Sequence, residues 1–172
     1  MMFDYEAYVQ MSEEERNKKF PHTKVRIPGE SLWARVLSPG VVMLDNNPLD
    51  TRYRYADVVE VSGRDVARVL ERTFTQRFGF GYEWEEKGDD VSDPDMPARK
   101  DIAARCHTFG NKAHYSFFVE GMGFVSLQKD VDVAKLVEVL TAGDSPIIEI
   151  VNLDQDEVVE IYQKESNHEH KD

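Results

Sequence analysis

The chain has 172 residues, 41% of them apolar and 31% charged, with a net charge of −12. That length suits one domain or two small, tightly associated ones, and the apolar share is enough for a core, which excludes global disorder. The acidity disfavours free nucleic acid and anionic membranes as partners.

No window approaches the roughly 18 consecutive apolar residues of a membrane helix. The acidic N-terminal stretch MMFDYEAYVQMSEEERNKKF lacks a secretory apolar core. One cysteine, Cys106, excludes an internal disulfide, and a cytoplasmic location is expected by elimination.

Ser12 and Glu15 have capping-box spacing and predict a short helix over 13–19, closed by Pro21. Lys24–Ile27, Ser31–Leu37 and Val41–Leu44 read as strands separated by the turns Pro28-Gly29 and Ser38-Pro39-Gly40. Asp45-Asn46-Asn47-Pro48 makes another turn. A further strand lies within Tyr53–Val61 and ends at Ser62-Gly63. Such closely spaced turns between β-rich runs point to a small antiparallel barrel or curled sheet.

Residues 64–86 carry two patterns. Val66, Val69, Leu70 and Phe74 fit a helical stripe, whereas Phe74, Phe78, Phe80, Tyr82 and Trp84 all fall on even positions. The ring density, with Gly79 and Gly81, favours strands over 66–76 and 80–86. Lys87–Pro97 reads as an acidic loop. A helix is predicted over 98–109 with Gly110 as its C-terminal cap. Strands follow at His114–Val119 and Phe124–Leu127, joined by Glu120-Gly121-Met122-Gly123. Asp130 is expected to cap a helix over 131–142 whose apolar Val133, Leu136, Val137 and Leu140 sit three or four apart, with Gly143 ending it. Ile147–Leu153 and Glu157–Tyr162 read as strands, and the polar tail from Lys164 is expected to fray.

From residue 66 the order is strand, helix, strand, strand, helix, strand, which is the ferredoxin-like order, βαββαβ. The expected fold is therefore α+β, with a small antiparallel β-barrel-like half packed on a ferredoxin-like half. The expected organisation is a short helix and β-rich subdomain over 1–63, a ferredoxin-like subdomain over 64–163 and a tail over 164–172.

Charge is segregated along the chain. Residues 16–77 carry a net +5, residues 78–128 sum to −4 and residues 129–172 to −8. Arg52-Tyr53-Arg54-Tyr55 interleaves cations and rings. On a strand, Arg52 and Arg54 would share a face able to meet phosphate or an acidic partner; solvated arginines opposite core tyrosines produce the same pattern. Cys106 and His107 are adjacent, with Asp101 and His114 nearby, but neighbours on a helix point apart, and Cys106 reads as a small packed residue. Cys106, His107 and His114 lack metal-ligand spacing, and His168-Glu169-His170 sits in the tail. Glu83 and Glu85 share a strand face, followed by Asp89, Asp90, Asp93 and Asp95; an acidic solvated loop is the simple reading. No phosphate-binding glycine loop, strained-turn serine motif or HExxH is present.

Two resemblances appear. Glu30-Ser31-Leu32-Trp33-Ala34, Leu44-Asp45-Asn46 with Pro48, and Ala56-Asp57-Val58-Val59-Glu60 are similar to an uncharacterised family of small bacterial proteins. That resemblance implies a β-rich N-terminal half and a ferredoxin-like C-terminal half, and no activity. Separately, Glu120-Gly121-Met122-Gly123-Phe124-Val125-Ser126-Leu127 resembles the RNA-contacting octapeptide of RNA-recognition-motif domains. Phe124 matches one stacking ring, but Met122 replaces the other and Glu120 stands where that motif has a cation. A Gly-rich hairpin feeding an apolar strand explains the same letters.

The expected function is a non-enzymatic, cytoplasmic protein-interaction module that binds another protein. Rings of the Phe74–Trp84 stretch left exposed, and rimmed by Arg68, Arg72 or Arg77, would form its surface. The candidate binding residues are Trp33, Arg52, Arg54, Arg72, Arg77, Phe80, Tyr82 and Trp84. No catalytic, metal or cofactor residue is assigned, and no cofactor is expected. Three alternatives stand beside this reading. One is an acidic inhibitor, immunity-type protein or nucleic-acid mimic using Asp154, Asp156, Glu157 and Glu160. Another is a small-molecule binder or enzyme with a cleft between the halves. The last is RNA binding through the Phe124 strand. An open sheet edge would also allow a homodimer.

Overall fold

The structure, a computed structural model, describes residues 3–50, 52–84, 96–119, 121–153 and 158–165. Most of the predicted acidic loop Lys87–Pro97, together with Glu85, Glu120, Asp154, Asp156, Glu157 and His168-Glu169-His170, lies outside the described residues. The protein is α+β, with a closed five-stranded barrel and a separate five-stranded sheet carrying helices. The chain divides into two compact units, residues 1–76 with 126–129 and residues 77–125 with 130–172.

The first unit starts with α1 (Tyr5–Gln10), a helix the sequence reading missed. Its signal is Asp4, whose carboxylate accepts the Ala7 amide at 3.0 Å as an N-cap. The capping box then forms as expected and sets α2 (Glu13–Lys19). The strands β1 (His22–Ile27), β2 (Glu30–Ser38), β3 (Val41–Leu44), β4 (Val58–Ser62) and β5 (Asp65–Glu71) make a meander. An odd-numbered meander that closes on itself must bring its first and last strands together in parallel. β1 and β5 meet that way at Arg26 and Asp65. Val25, Ile27, Leu32, Ala34, Val42, Leu44 and Val59 fill the interior. Met43 points the other way, into a second cluster with Tyr5, Tyr8, Tyr55, Ala56 and Phe74.

The single strand expected over 66–76 is two strands. Ser62 pairs with Asp65 around a tight turn in which Gly63 takes φ +62°, so 65–71 folds back on β4 and closes the barrel. The ladder ends where Arg72 leaves it to bond the buried Asp57 carboxylate, through Nε at 3.0 Å and Nη2 at 2.8 Å. The next strand, β6 (Phe74–Tyr82), therefore starts earlier than the predicted 80–86. Arg52-Tyr53-Arg54-Tyr55 is not a strand either. Asp57 accepts the Arg54 amide at 2.8 Å, and Ala56 sits at φ +64°, which turns the segment instead of extending it.

The second sheet takes β6, α3 (Pro97–His107), β7 (Ala113–Phe117), β8 (Met122–Gln128), α4 (Val133–Thr141), β9 (Ile147–Asn152) and β10 (Val159–Gln163) in chain order, and the first residues of β6 and the last of β8 count with the first unit. The sheet order is β10-β9-β6-β8-β7. The strands joined by α3, β6 and β7, have β8 between them; those joined by α4, β8 and β9, have β6 between them. This is the split arrangement of the ferredoxin-like order, with β10 added at one edge. Asp132, not Asp130, caps α4 by accepting the Ala134 amide at 3.0 Å; Asp130 pairs with Lys112 instead. Ile102 and Cys106 of α3 and Leu136 and Leu140 of α4 are buried. Arg105 ties the helices together by donating to the Val139 and Ala142 carbonyls at 2.9 and 2.8 Å, the last acceptors of α4. Gly123 is needed because a Cβ there would lie 2.3 Å from the Phe80 ring.

Candidate functional site on the barrel face

A two-residue turn fixes the register of the β1–β2 hairpin. Pro28 presets one dihedral, and Gly29 takes the left-handed place at φ +81°. Pairing then places His22 opposite Arg35, Lys24 opposite Trp33 and Arg26 opposite Ser31. Val25, Leu32 and Ala34 point into the barrel, so by strand alternation these six residues share its outer face.

Trp33 is 46% exposed on that face. The Lys24 ammonium lies 4.3 Å from the indole centroid, and the His22 ring stands 5.7 Å away, tilted by 59°. Residues after β3 clamp the Trp33 backbone. Its N–H donates to Asn46 Oδ1 at 2.6 Å, and its carbonyl accepts the Asp45 amide at 2.9 Å. His22 Nε2 lies 3.1 Å from Asp45 Oδ2, and Arg35 Nε is 3.4 Å from the same oxygen. Arg35 is buried and donates to Asn17 Oδ1 at 2.7 Å and to the Phe20 carbonyl at 3.2 Å. Hydrogen bonds at either end and the Arg35–Asp45 ion pair between them thus link α2 through Arg35 and Asp45 to His22, beside the ring. His22, Trp33, Asp45 and Asn46 line a cleft of 260 Å³. Glu30 accepts the Leu49 and Asp50 amides at 3.0 and 3.4 Å, pinning the loop that follows.

The other expected binding residues are placed differently. Arg52 is exposed and donates from Nη2 to Asp50 at 2.6 Å. Arg54 is buried and its amide bonds Asp57, Arg72 bonds the same carboxylate and the Arg52 carbonyl at 2.8 Å, and the Arg52 guanidinium turns to Asp50, so the three do not form one open basic face. Arg77 is completely buried, its guanidinium 4.7 Å from the Phe124 ring centroid. Phe80 and Tyr82 are core residues, packed on each other and on Phe117. Phe80 and Tyr82, expected as binding residues, are thus interior, and so are Phe74 and Phe78 of the same stretch.

Trp84 is half-buried against Gly121, where φ is +67° and a Cβ would come within 2.8 Å of the indole. It lines a cleft of 530 Å³ in the second unit with Glu83, Asp101, Asp144 and Lys164. His22, Lys24, Asp45 and Asn46 were missed by sequence reasoning. Counting outward from the Pro28-Gly29 turn pairs Lys24 with Trp33 and offered the signal for two of them.

The nucleophile and metal readings find no support here. Burial pushes the Cys106 thiol up to about 12, so it stays protonated at neutral pH. His107 Nε2 is 3.2 Å from the Tyr115 hydroxyl, and Asp101 pairs with Arg105 at 2.8 Å. Among the described residues, no three His, Cys, Asp or Glu side chains gather as they would for a metal ion. No described helix is long and apolar enough to cross a membrane. Compared with family models, curated proteins and solved structures, the chain finds no match.

Proposed function

We propose that the protein is a non-enzymatic interaction module that binds another protein through the Trp33 face of its barrel. One observation carries the reading: a large amphipathic ring is left in solvent on a scaffold whose supporting groups are fixed. The Trp33 backbone is bonded on both sides, and the groups beside it lead back to the buried Arg35. Rigid exposed aromatics of this kind lose little entropy on association and anchor interfaces. A reduced, cytoplasmic setting suits the single buried thiol.

The test is capture of partners on wild-type protein and on Trp33→Ala at matched melting temperature. Loss of a specific partner in the variant is the expected result. Retention of every wild-type partner would sink the proposal.

A second reading, a small-molecule binder, is favoured by the 530 Å³ cleft at Trp84. A thermal-shift screen of metabolites separates it from the first, because a specific ligand raises stability by mass action. A hit lost in Trp84→Ala but kept in Trp33→Ala supports that reading.

A further inference from the structure

The outer face around Trp33 has a definite charge. Asp45 is taken up by His22 and Arg35, Asp65 pairs with Arg26 at 3.1 Å, and the Glu30 carboxylate holds two backbone amides. Each of these acids is thus engaged. Lys24 has the Trp33 ring and no carboxylate within ion-pair distance among the described residues; Arg64, exposed beside Asp65, has none either. Glu30 keeps its charge, and Lys24, Arg26, Arg35 and Arg64 against Asp45, Asp65 and Glu30 still leave this face net positive beside the exposed indole, on a chain whose net charge is −12. The face is also elongated. His22 to Arg26 spans about 13 Å of strand. The Trp33 cleft lies at one end, and a groove of 450 Å³ lined by Arg26, Ile27, Pro28, Asp65 and Val66 lies at the other. β1 pairs with β2 along its whole length and meets β5 at Arg26, and the recognition argued here runs through the side chains on the outer face of this hairpin.

Resting on the Trp33 reading above, we infer that the occupant of this face is an extended acidic segment of a partner protein. An apolar residue of that segment sits on Trp33, and its carboxylates meet Lys24 and Arg64. A single-stranded nucleic acid would use the same cations. However, such binders present successive rings along a basic groove, and this face has one tryptophan and two cations, Lys24 and Arg64, without an ion-pair carboxylate among the described residues.

The experiment is selection of a displayed random peptide library on wild-type protein, with counter-selection on Trp33→Ala. Binders that depend on Trp33 and are rich in Asp and Glu beside an apolar residue are the expected result. Their affinity should fall about tenfold or more in Lys24→Glu with Arg64→Glu, and less in Lys24→Gln, with the loss largest at low salt. Trp33-dependent binders that are neutral or basic would overturn the acidic occupant while leaving the Trp33 face standing. A labelled single-stranded oligonucleotide that binds more tightly than any selected peptide, in a Trp33-dependent way, would do the same. No Trp33-dependent peptide or oligonucleotide at all would remove both proposals. Circular dichroism of each variant confirms that the barrel is intact, since all the substituted side chains lie on its surface.

Discussion

The Lys24–Trp33 pair in the barrel unit and the Arg77–Phe124 pair in the sheet unit are the same contact in two settings. A cation lies 4.3 Å from one ring centroid and 4.7 Å from the other. Trp33 is 46% exposed, whereas Arg77 is completely buried. Burial turns the contact into structure, because a desolvated guanidinium must keep its partners or the fold loses stability. Exposure leaves the contact weak and exchangeable, which is what a binding surface requires.

Arg77 is the place to break this comparison first. Arg77→Met removes a buried cation and should cost about 3 kcal/mol, read as a large drop in the denaturation midpoint. If the variant is as stable as wild type, burial does not separate the two contacts, and the functional weight placed on Trp33 loses its contrast.

The sheet unit should also carry a pH dependence linked to His114. The residue keeps some exposed surface, yet burial holds its imidazole down at about 4, below the ordinary 6.5. The unfolded chain then binds a proton that the native protein refuses between those two values. Stability should fall as pH drops from 6.5 towards 4, by about 1.4 kcal/mol per pH unit at most. Denaturant melts of wild type and His114→Phe across that range test it: the slope should shrink in the variant. An unchanged slope would assign the titration to other groups.

The difference between the units also explains how much could be read in advance. The barrel was largely legible because its signals are local: the Ser12–Glu15 box, Gly29, Gly40 and Gly63 in left-handed turns, and alternation in β1 and β2. The element order of the sheet unit was legible for the same reason. What a ring on an even position faces was not. Phe78, Phe80 and Tyr82 alternate as an exposed aromatic face would, but all three are buried: Phe117 packs on Phe80 and Tyr82, Ile150 flanks Phe80 on the next strand, and Gly123 makes room for Phe80. That cover comes from residues dozens of positions away. Likewise, the candidate arginines were distributed by Asp57, whose buried carboxylate draws Arg72 and the Arg54 amide to itself. Trp33 was legible as a candidate, but its buttress of Asn46, Asp45 and Arg35 required knowing that the loop after β3 returns to β2.

On the exposed side of the comparison, Trp33→Ala should lower stability by no more than about 1 kcal/mol, since half of the ring is already in water. Thermal melts check this directly. A loss nearer the value for Arg77→Met would make Trp33 a structural residue, and its exposure would no longer argue for recognition.

The smallest effect sharpens the comparison most. In a double-mutant cycle on stability, Lys24→Gln and Trp33→Leu should couple by about 0.5 kcal/mol, fading as salt is added, because both groups face water. The matching cycle on Arg77→Met and Phe124→Leu should give about 2 kcal/mol with little salt dependence, because neither salt nor water reaches Arg77. The ratio matters more than either value. A coupling at Lys24 as large and as salt-insensitive as the one at Arg77 would mean that the lysine is locked onto the indole. The barrel face would then be closed to any partner that needs the ring or the charge. A small, screened coupling leaves both free to exchange their contact for one with an incoming chain.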